Sequence, residues 1–184
     1  MRVIDNVFDN RYLFELVDKL KKTAWYPDNI ANVSTYPYGN VGSHVLLGSS
    51  FFFREDINTI DYGADRNFSL ELIQTFYAIQ KAVGRNLMLY EISGNMQMMG
   101  MDGTNHYDNL EVGGQQLSNV FSYILMLSGD PGEGGQFVND TEGVEVPFLN
   151  GRLIEITSKE LHRGMAFTTP NKVRYSLKFV GVQH

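Results

Sequence analysis

Two apolar periodicities divide the chain. Up to about position 85 the apolar patterns recur at helical spacing, and beyond it they recur every second residue. Residues 1–7 read as a short strand, with Val3, Ile4 and Val7 apolar. Leu13, Leu16, Val17 and Leu20 then fall on one helical stripe, with Glu15, Asp18, Lys19, Lys21 and Lys22 off it. Asp9 or Asn10 supplies the cap, and the helix is expected to run to about 23. Its lysines lie in the last turn, where cations complement the helix dipole. A second stripe, Leu72, Ile73, Phe76, Ile79 and Val83, predicts a helix that opens at Asn67-Phe68-Ser69 and closes on Gly84 as a left-handed cap. Both helices read as layers packed on a sheet.

The stretch between the helices is less regular. Trp25-Tyr26-Pro27-Asp28 reads as a turn, residues 36–42 are rich in turn formers and aromatics, and Val45-Leu46-Leu47 and Phe51-Phe52-Phe53 read as short strands. Such a region is either a set of functional loops or the edge of a sheet. Strand character begins at Asn86, with a strand over 86–92. A loop over 93–105 follows, holding Gly94, Gly100 and Gly103 among Met96, Met98, Met99 and Met101. Clustered methionines make an adaptable apolar surface, either core filler or a lid. A strand around His106 and a polar link at 113–116 come next. Further strands are expected at 119–127, 136–139, 143–146, 152–156, 164–167 and 173–180, with turns at 128–135, 147–151 and 169–172. About eight short strands so spaced predict an all-β sandwich or jelly roll. The expected architecture is therefore mainly β with N-terminal supporting helices, in one domain. Residues 1–85 would give helical support and substrate loops, and residues 86–184 the jelly-roll core.

Composition narrows the chemistry. A chain of 184 residues suffices for one sizeable core. With no cysteine, disulfides, zinc–thiolate sites, iron–sulfur clusters and cysteine nucleophiles are excluded. Any metal must be held by histidine, carboxylate and water. The four histidines are His44, His106, His162 and His184. His184 is terminal and a poor ligand, and for His44 a structural or surface role is the preferred reading. The net charge of −6 disfavours nucleic acid as a partner. No apolar stretch reaches membrane-spanning length and no secretory signal is seen, so a cytoplasmic protein is expected.

Against that background one constellation carries chemistry. In a strand, side chains at i and i+2 point the same way, so His106 and Asp108 share a face while Tyr107 points away. His162 arrives from a later strand. Two imidazoles and a carboxylate on one face of an octahedral ferrous ion leave the opposite face open, which is the arrangement of non-haem iron oxygenases. Arg174 and Ser176 share another strand face and suit a carboxylate, as bidentate charged donor and hydroxyl donor. If a hairpin is centred on Pro170-Asn171, Arg174 sits opposite Phe167, roughly 16 Å along the sheet from His162.

With these residues in this order the sequence resembles the Fe(II)- and 2-oxoglutarate-dependent dioxygenases, and within them the prolyl 4-hydroxylase-like branch. The resemblance covers most of the chain. It runs through Val3-Ile4-Asp5-Asn6-Val7-Phe8 and Trp25, Leu89-Tyr90, His106-Tyr107-Asp108, Tyr123-Ile124-Leu125-Met126-Leu127, Gly134-Gly135-Gln136-Phe137, Gly151-Arg152-Leu153-Ile154, His162 and Arg174-Tyr175-Ser176-Leu177. It implies a double-stranded β-helix, the jelly roll of cupin-like proteins. His106, Asp108 and His162 would be iron ligands, with no catalytic residue beyond them. Arg174 would anchor the distal carboxylate of 2-oxoglutarate, helped by Ser176 and Tyr90. Arginine stands where many members of the branch have lysine, and positions 125 and 126 hold Leu and Met where those members have a tyrosine. The implied activity is hydroxylation, with O₂ consumed, succinate and CO₂ released, and ascorbate keeping the iron ferrous. Asp108 favours hydroxylation over halogenation, which needs a small residue there.

The implied substrate is a prolyl or other residue of a peptide or protein. A free amino acid or other small molecule is the alternative within the enzyme reading. Outside it stands a non-catalytic, cupin-like module that binds metal or a small ligand.

Overall fold

A computed structural model describes residues 1–27, 46–56, 58–63 and 65–183. The expected turn-rich stretch at 36–42, His44 and His184 lie outside the described residues, as do the end of the expected turn at 25–28 and the start of the strand expected at 45–47.

Both helices form where their apolar stripes predict. After the strand β1 (Arg2–Ile4), α1 spans Asn10–Leu20; the Asp9 carboxylate caps it by accepting from Tyr12 N. Its stripe of Leu13, Leu16, Val17 and Leu20 is buried. β2 (Leu47–Arg54) and β3 (Ile60–Asp61) precede α2 (Arg66–Val83). The second helix starts at Arg66, one residue ahead of the expected opening at Asn67, because Asp65 caps it by accepting from Phe68 N. Gly84 ends it at φ 73°, in the left-handed region.

The strand series follows as β4 (Met88–Gln97), β5 (Glu111–Val112), β6 (Gln115–Gln116), β7 (Val120–Leu127), β8 (Phe137–Asn139), β9 (Val144–Val146), β10 (Leu153–Thr157), β11 (His162–Gly164) and β12 (Arg174–Val182). A seven-stranded sheet has the order β1-β10-β7-β12-β4-β2-β3, and a smaller sheet the order β11-β8-β9. Every pairing is antiparallel. Alternation along the large sheet divides its faces. Tyr123, Leu125, Tyr175, Leu177 and Phe179 pack outwards against the stripes of α1 and α2, burying the helices' apolar faces. Ile124, Met126, Ile154 and Ile156 turn inwards to Phe137, Val146 and Phe167 from the smaller sheet's side. The result is a jelly roll with supporting helices on one face.

Three expectations are corrected. The loop expected to start at 93 is strand as far as Gln97. Gly94 reads as a turn former, yet it sits mid-strand because an added Cβ would lie 3.1 Å from the Phe51 ring and 3.3 Å from Trp25. The segment around His106 is extended but makes only an isolated bridge, to His162. The turn at 169–172 does not close a hairpin: β11 belongs to the small sheet and β12 to the large one, so the chain crosses between them.

Candidate metal centre and its cavity

The bridge between His106 and His162 creates the centre. His106 N donates to His162 O (3.1 Å) and His162 N to His106 O (3.0 Å), which brings the ring centroids to 4.4 Å. Each ring is oriented by the backbone two residues upstream. His106 Nδ1 lies 2.8 Å from Thr104 O, and His162 Nδ1 lies 2.9 Å from Glu160 O. A carbonyl only accepts, so Nδ1 donates in both rings, and Nε2 is the nitrogen turned toward Asp108 that a metal would use. Asp108 faces both Nε2 atoms. Its Oδ1 is 3.5 Å from His106 Nε2, and its Oδ2 is 3.7 Å from His162 Nε2. Tyr107 points out to solvent, as strand alternation predicts.

Ligand-capable atoms of His106, Asp108 and His162 all lie within 4.8 Å of one another. Neighbouring donors around an octahedral ion with bonds of about 2.1 Å stand roughly 3 Å apart, so small side-chain movements close this set on a metal. The protein alone leaves the set incomplete: Asp108 Oδ2 is buried with no hydrogen-bond partner. Burial by itself would raise the Asp108 pKa. The Lys178 ammonium, and then His106 and His162, outweigh it and hold the carboxyl well below its usual range. Burial lowers the His162 pKa, against the pull of Asp108, which favours the neutral ring that a metal needs.

A cavity of about 530 Å³ opens beside the two imidazoles. Its floor is the inner face of the large sheet. Glu91, Ser93, Asn95 and Gln97 alternate along β4, and Arg174, Ser176 and Lys178 alternate along β12. Arg174 is paired not with Phe167 but with Gln97. Its side chain is fully buried, yet it meets only neutral groups: Gly135 O (3.1 Å), Gln97 Oε1 (2.5 Å) and Ser176 Oγ (3.4 Å). Gln97 is itself locked, because its Nε2 donates to Met101 O and Gly164 O. Glycine makes the room: a Cβ on Gly164 would stand 3.4 Å from Arg174 Nη1. Burial lowers the guanidinium to about 10, so it remains cationic at neutral pH. No carboxylate among the described residues pairs with it. A buried cation without a counter-ion is costly, and an anion entering the cavity would relieve that cost.

The structure thus brings His106, Asp108 and His162 together and places Arg174 and Ser176 on the wall of the same cavity. It does not bring Tyr90 there. A β-bulge at Val180/Gly181 turns Tyr90 into an apolar cluster with Leu110, Val120, Val180 and Val182, and the Arg54 guanidinium lies 6.0 Å from the ring centroid. Two residues escaped the sequence reading. Lys178 Nζ lies 3.4 Å from Asp108 Oδ1 and 3.2 Å from Glu91 Oε1. Their signal was present in the period of two: Arg174, Ser176 and Lys178 share one face, and so do Glu91, Ser93, Asn95 and Gln97.

No family model and no curated protein matches the sequence. Solved structures do match. A 2OG-Fe(II) oxygenase family oxidoreductase from Burkholderia pseudomallei aligns with a TM-score of 0.72 at 13% identity, over 99% of this chain and 84% of that one. A Pseudomonas putida prolyl-4-hydroxylase aligns at 0.63 and 15%, over 100% and 92% of the two chains. HygX from Streptomyces hygroscopicus, solved with nickel and 2-oxoglutarate bound, aligns at 0.59 and 11%, over 98% and 82%. At such identities the likeness is one of architecture, and the chain is built on the jelly-roll fold of the 2OG-Fe(II) oxygenases, prolyl 4-hydroxylases among them.

Proposed function

We propose that the 184 residues form one oxygenase domain, an Fe(II)- and 2-oxoglutarate-dependent hydroxylase. The carrying observation is a pair of incomplete sites on one cavity. One is a His₂–Asp set with an orphaned carboxylate oxygen; the other is a buried guanidinium with no counter-ion among the described residues. A divalent metal completes the first and a carboxylate the second, so a small metal-chelating diacid suits both. A non-catalytic metal-binding module has no use for the second.

His106 Nε2, His162 Nε2 and Asp108 Oδ2 would hold the metal. Arg174, with the Ser176 hydroxyl, would take the distal carboxylate of 2-oxoglutarate as a charge-assisted pair. Bound Fe(II) with 2-oxoglutarate supplies O₂ activation and hydroxyl transfer, with succinate and CO₂ released. The protein's part is orientation and exclusion of water. Thr104 O and Glu160 O fix the imidazoles, and Gln97 fixes the guanidinium.

The substrate we propose is a prolyl or other residue of a peptide, supported by the likeness to the Pseudomonas putida prolyl-4-hydroxylase. A small polar molecule is the second reading, favoured by the hydrophilic wall of Ser49, Ser50, Ser93 and Asn95. HygX, which shares the fold, was also solved with hygromycin B bound. The first test is anaerobic titration of the metal-free protein with Fe(II) and then 2-oxoglutarate. A weak visible charge-transfer band in wild type that is absent in His106→Ala is expected. Iron binding without such a band would favour the binding module, and no iron binding by folded protein would refute the proposal.

A further inference from the structure

Lys178 occupies an unusual place for an ammonium group. It stands beside a set of side chains suited to a dication, where a positive charge opposes metal binding unless it has other work. The structure gives it two carboxylates at once: Asp108 Oδ1 at 3.4 Å and Glu91 Oε1 at 3.2 Å. Ser93 Oγ donates to the same Glu91 oxygen at 2.7 Å. The sheet fixes this arrangement. Lys178 is directly opposite Ser93 across the β12–β4 ladder, and Glu91 is the next residue on that face of β4. Glu91, His106, His162 and Lys178 all line the one cavity.

The division of oxygens has a consequence. Lys178 engages Asp108 Oδ1 and leaves Oδ2 as the oxygen of this carboxylate with no hydrogen-bond partner among the described residues. It also engages the sole carboxylate, among the described residues lining the cavity, that lies outside the three-residue set. With the ammonium removed, Glu91 would keep the Ser93 hydroxyl, and a metal held by the neighbouring His–Asp set would compete for its carboxylate. A fourth protein ligand would then occupy a position that an incoming chelator needs.

We infer that Lys178 is a positioning residue that keeps coordination positions open, by committing Asp108 to bind through one oxygen and by holding Glu91 off the metal. The inference rests on the proposed metal- and 2-oxoglutarate-binding function. It assigns Lys178 no contact with substrate and no part in proton transfer.

The test is a paired titration of wild type, Lys178→Met and the charge-neutral double variant Lys178→Met/Glu91→Gln. Each is titrated anaerobically with Co(II), whose visible spectrum reports coordination number. Each is then titrated with Fe(II) followed by 2-oxoglutarate, read by the charge-transfer band. In Lys178→Met, Co(II) should bind at least tenfold more tightly than in wild type, and half-saturation by 2-oxoglutarate should rise at least tenfold. The double variant should recover 2-oxoglutarate binding to within about threefold of wild type, because the competing ligand is gone. A role limited to packing or general charge would not produce that recovery. Lys178→Met with wild-type values for both titrations overturns the inference, and so does a double variant as impaired as the single one. If Lys178→Met does not fold, Lys178→Gln removes the same charge and is read by the same criteria. Wild-type protein that takes up neither metal refutes the proposed function itself. Wild type that binds both ligands beside an unaltered Lys178 variant refutes only the role of Lys178.

Discussion

Replacing Arg174 by methionine separates stability from binding, because the structure makes the two respond in opposite directions. The guanidinium is fully buried and its partners are neutral: Gly135 O, Gln97 Oε1 and Ser176 Oγ. An unpaired buried charge carries a desolvation cost that apolar side chains of similar length escape. Methionine forfeits those hydrogen bonds, chiefly at Gln97 Oε1, where an unsatisfied buried acceptor costs about 1–3 kcal/mol. The two effects offset, so ligand-free Arg174→Met should melt within a few degrees of wild type. Binding should change far more. Truncating one partner of a buried charge pair costs about 2–5 kcal/mol, a loss of roughly thirtyfold to several thousandfold in affinity. The assay is thermal melting with Mn(II) and increasing 2-oxoglutarate. At a hundred times Kd the wild type gains about 2.7 kcal/mol. For a chain of this length that is roughly 5–10 °C in Tm. Arg174→Met should show little of that gain at the same concentration. Equal stabilisation of both proteins would show that the diacid is held elsewhere. A ligand-free variant that unfolds tens of degrees early would show that Arg174 is a structural residue.

Three further outcomes follow from the same geometry. Asp108→Ala should abolish metal uptake and turnover while the circular dichroism spectrum persists, since Lys178 keeps its bond to Glu91; full activity would sink the metal set. Gly135→Ala should cost about 3 kcal/mol, lowering Tm by roughly 6–12 °C. It places a Cβ 2.5 Å from the buried Phe167 ring at φ 75°, whereas Gly143→Ala, at φ 66° in open space, should cost only about 1 kcal/mol. Glu155→Gln should cost about 1.5–3 kcal/mol near neutral pH, read from urea midpoints, because Arg85 Nε and Nη2 grip the carboxylate at 3.0 Å. Burial would raise the Glu155 pKa, but Arg85 and Tyr123 outweigh it and leave it lowered in the folded state. Its contribution is therefore full above the unfolded value of about 4.3 and fades as pH falls through the lower folded one; a gap between the two proteins unchanged at pH 3 would contradict this.

The helices were legible because their information is local. One stripe and one capping side chain fix each of them; Asp9 caps the first as expected, whereas the second is capped by Asp65, two residues ahead of the expected opening. The strand run from position 119 onwards was legible for a similar reason, since alternation over several residues needs no knowledge of the partner. What failed was long-range. β4 continues through Gly94, where Phe51 and Trp25, from distant parts of the chain, press close enough to favour a residue without a side chain. Of the four clustered methionines, Met96 packs against the main core while Met98 and Met99 stay exposed, so neither role expected for the cluster applies to all of it. Tyr90 lies away from the cavity: it is the extra residue of a bulge in the β4–β12 ladder and packs with Leu110, Val120, Val180 and Val182.

The two cations of β12 show most plainly where sequence reasoning stops. Arg174 and Lys178 lie on the same face, and alternation alone makes both eligible to receive an acidic ligand. Which of them is available depends on what three other segments bring. Gly103, Gly135 and Gly164 surround the arginine end with backbone and without carboxylates; an added Cβ at Gly103 would lie 2.8 Å from Gly164 O. The lysine end receives Asp108 from the segment after the His106–His162 bridge and Glu91 from β4. The protein therefore spends one cation on its own carboxylates and leaves the other uncompensated. On the proposed function, a diacid chelated at the metal would place its far carboxylate toward Arg174, because among the described cations of the cavity Lys178 is already paired with Asp108 and Glu91. The polarity proposed for the bound diacid, metal end and anchor end, would then follow from this partition of charge rather than from the number of basic residues in the cavity.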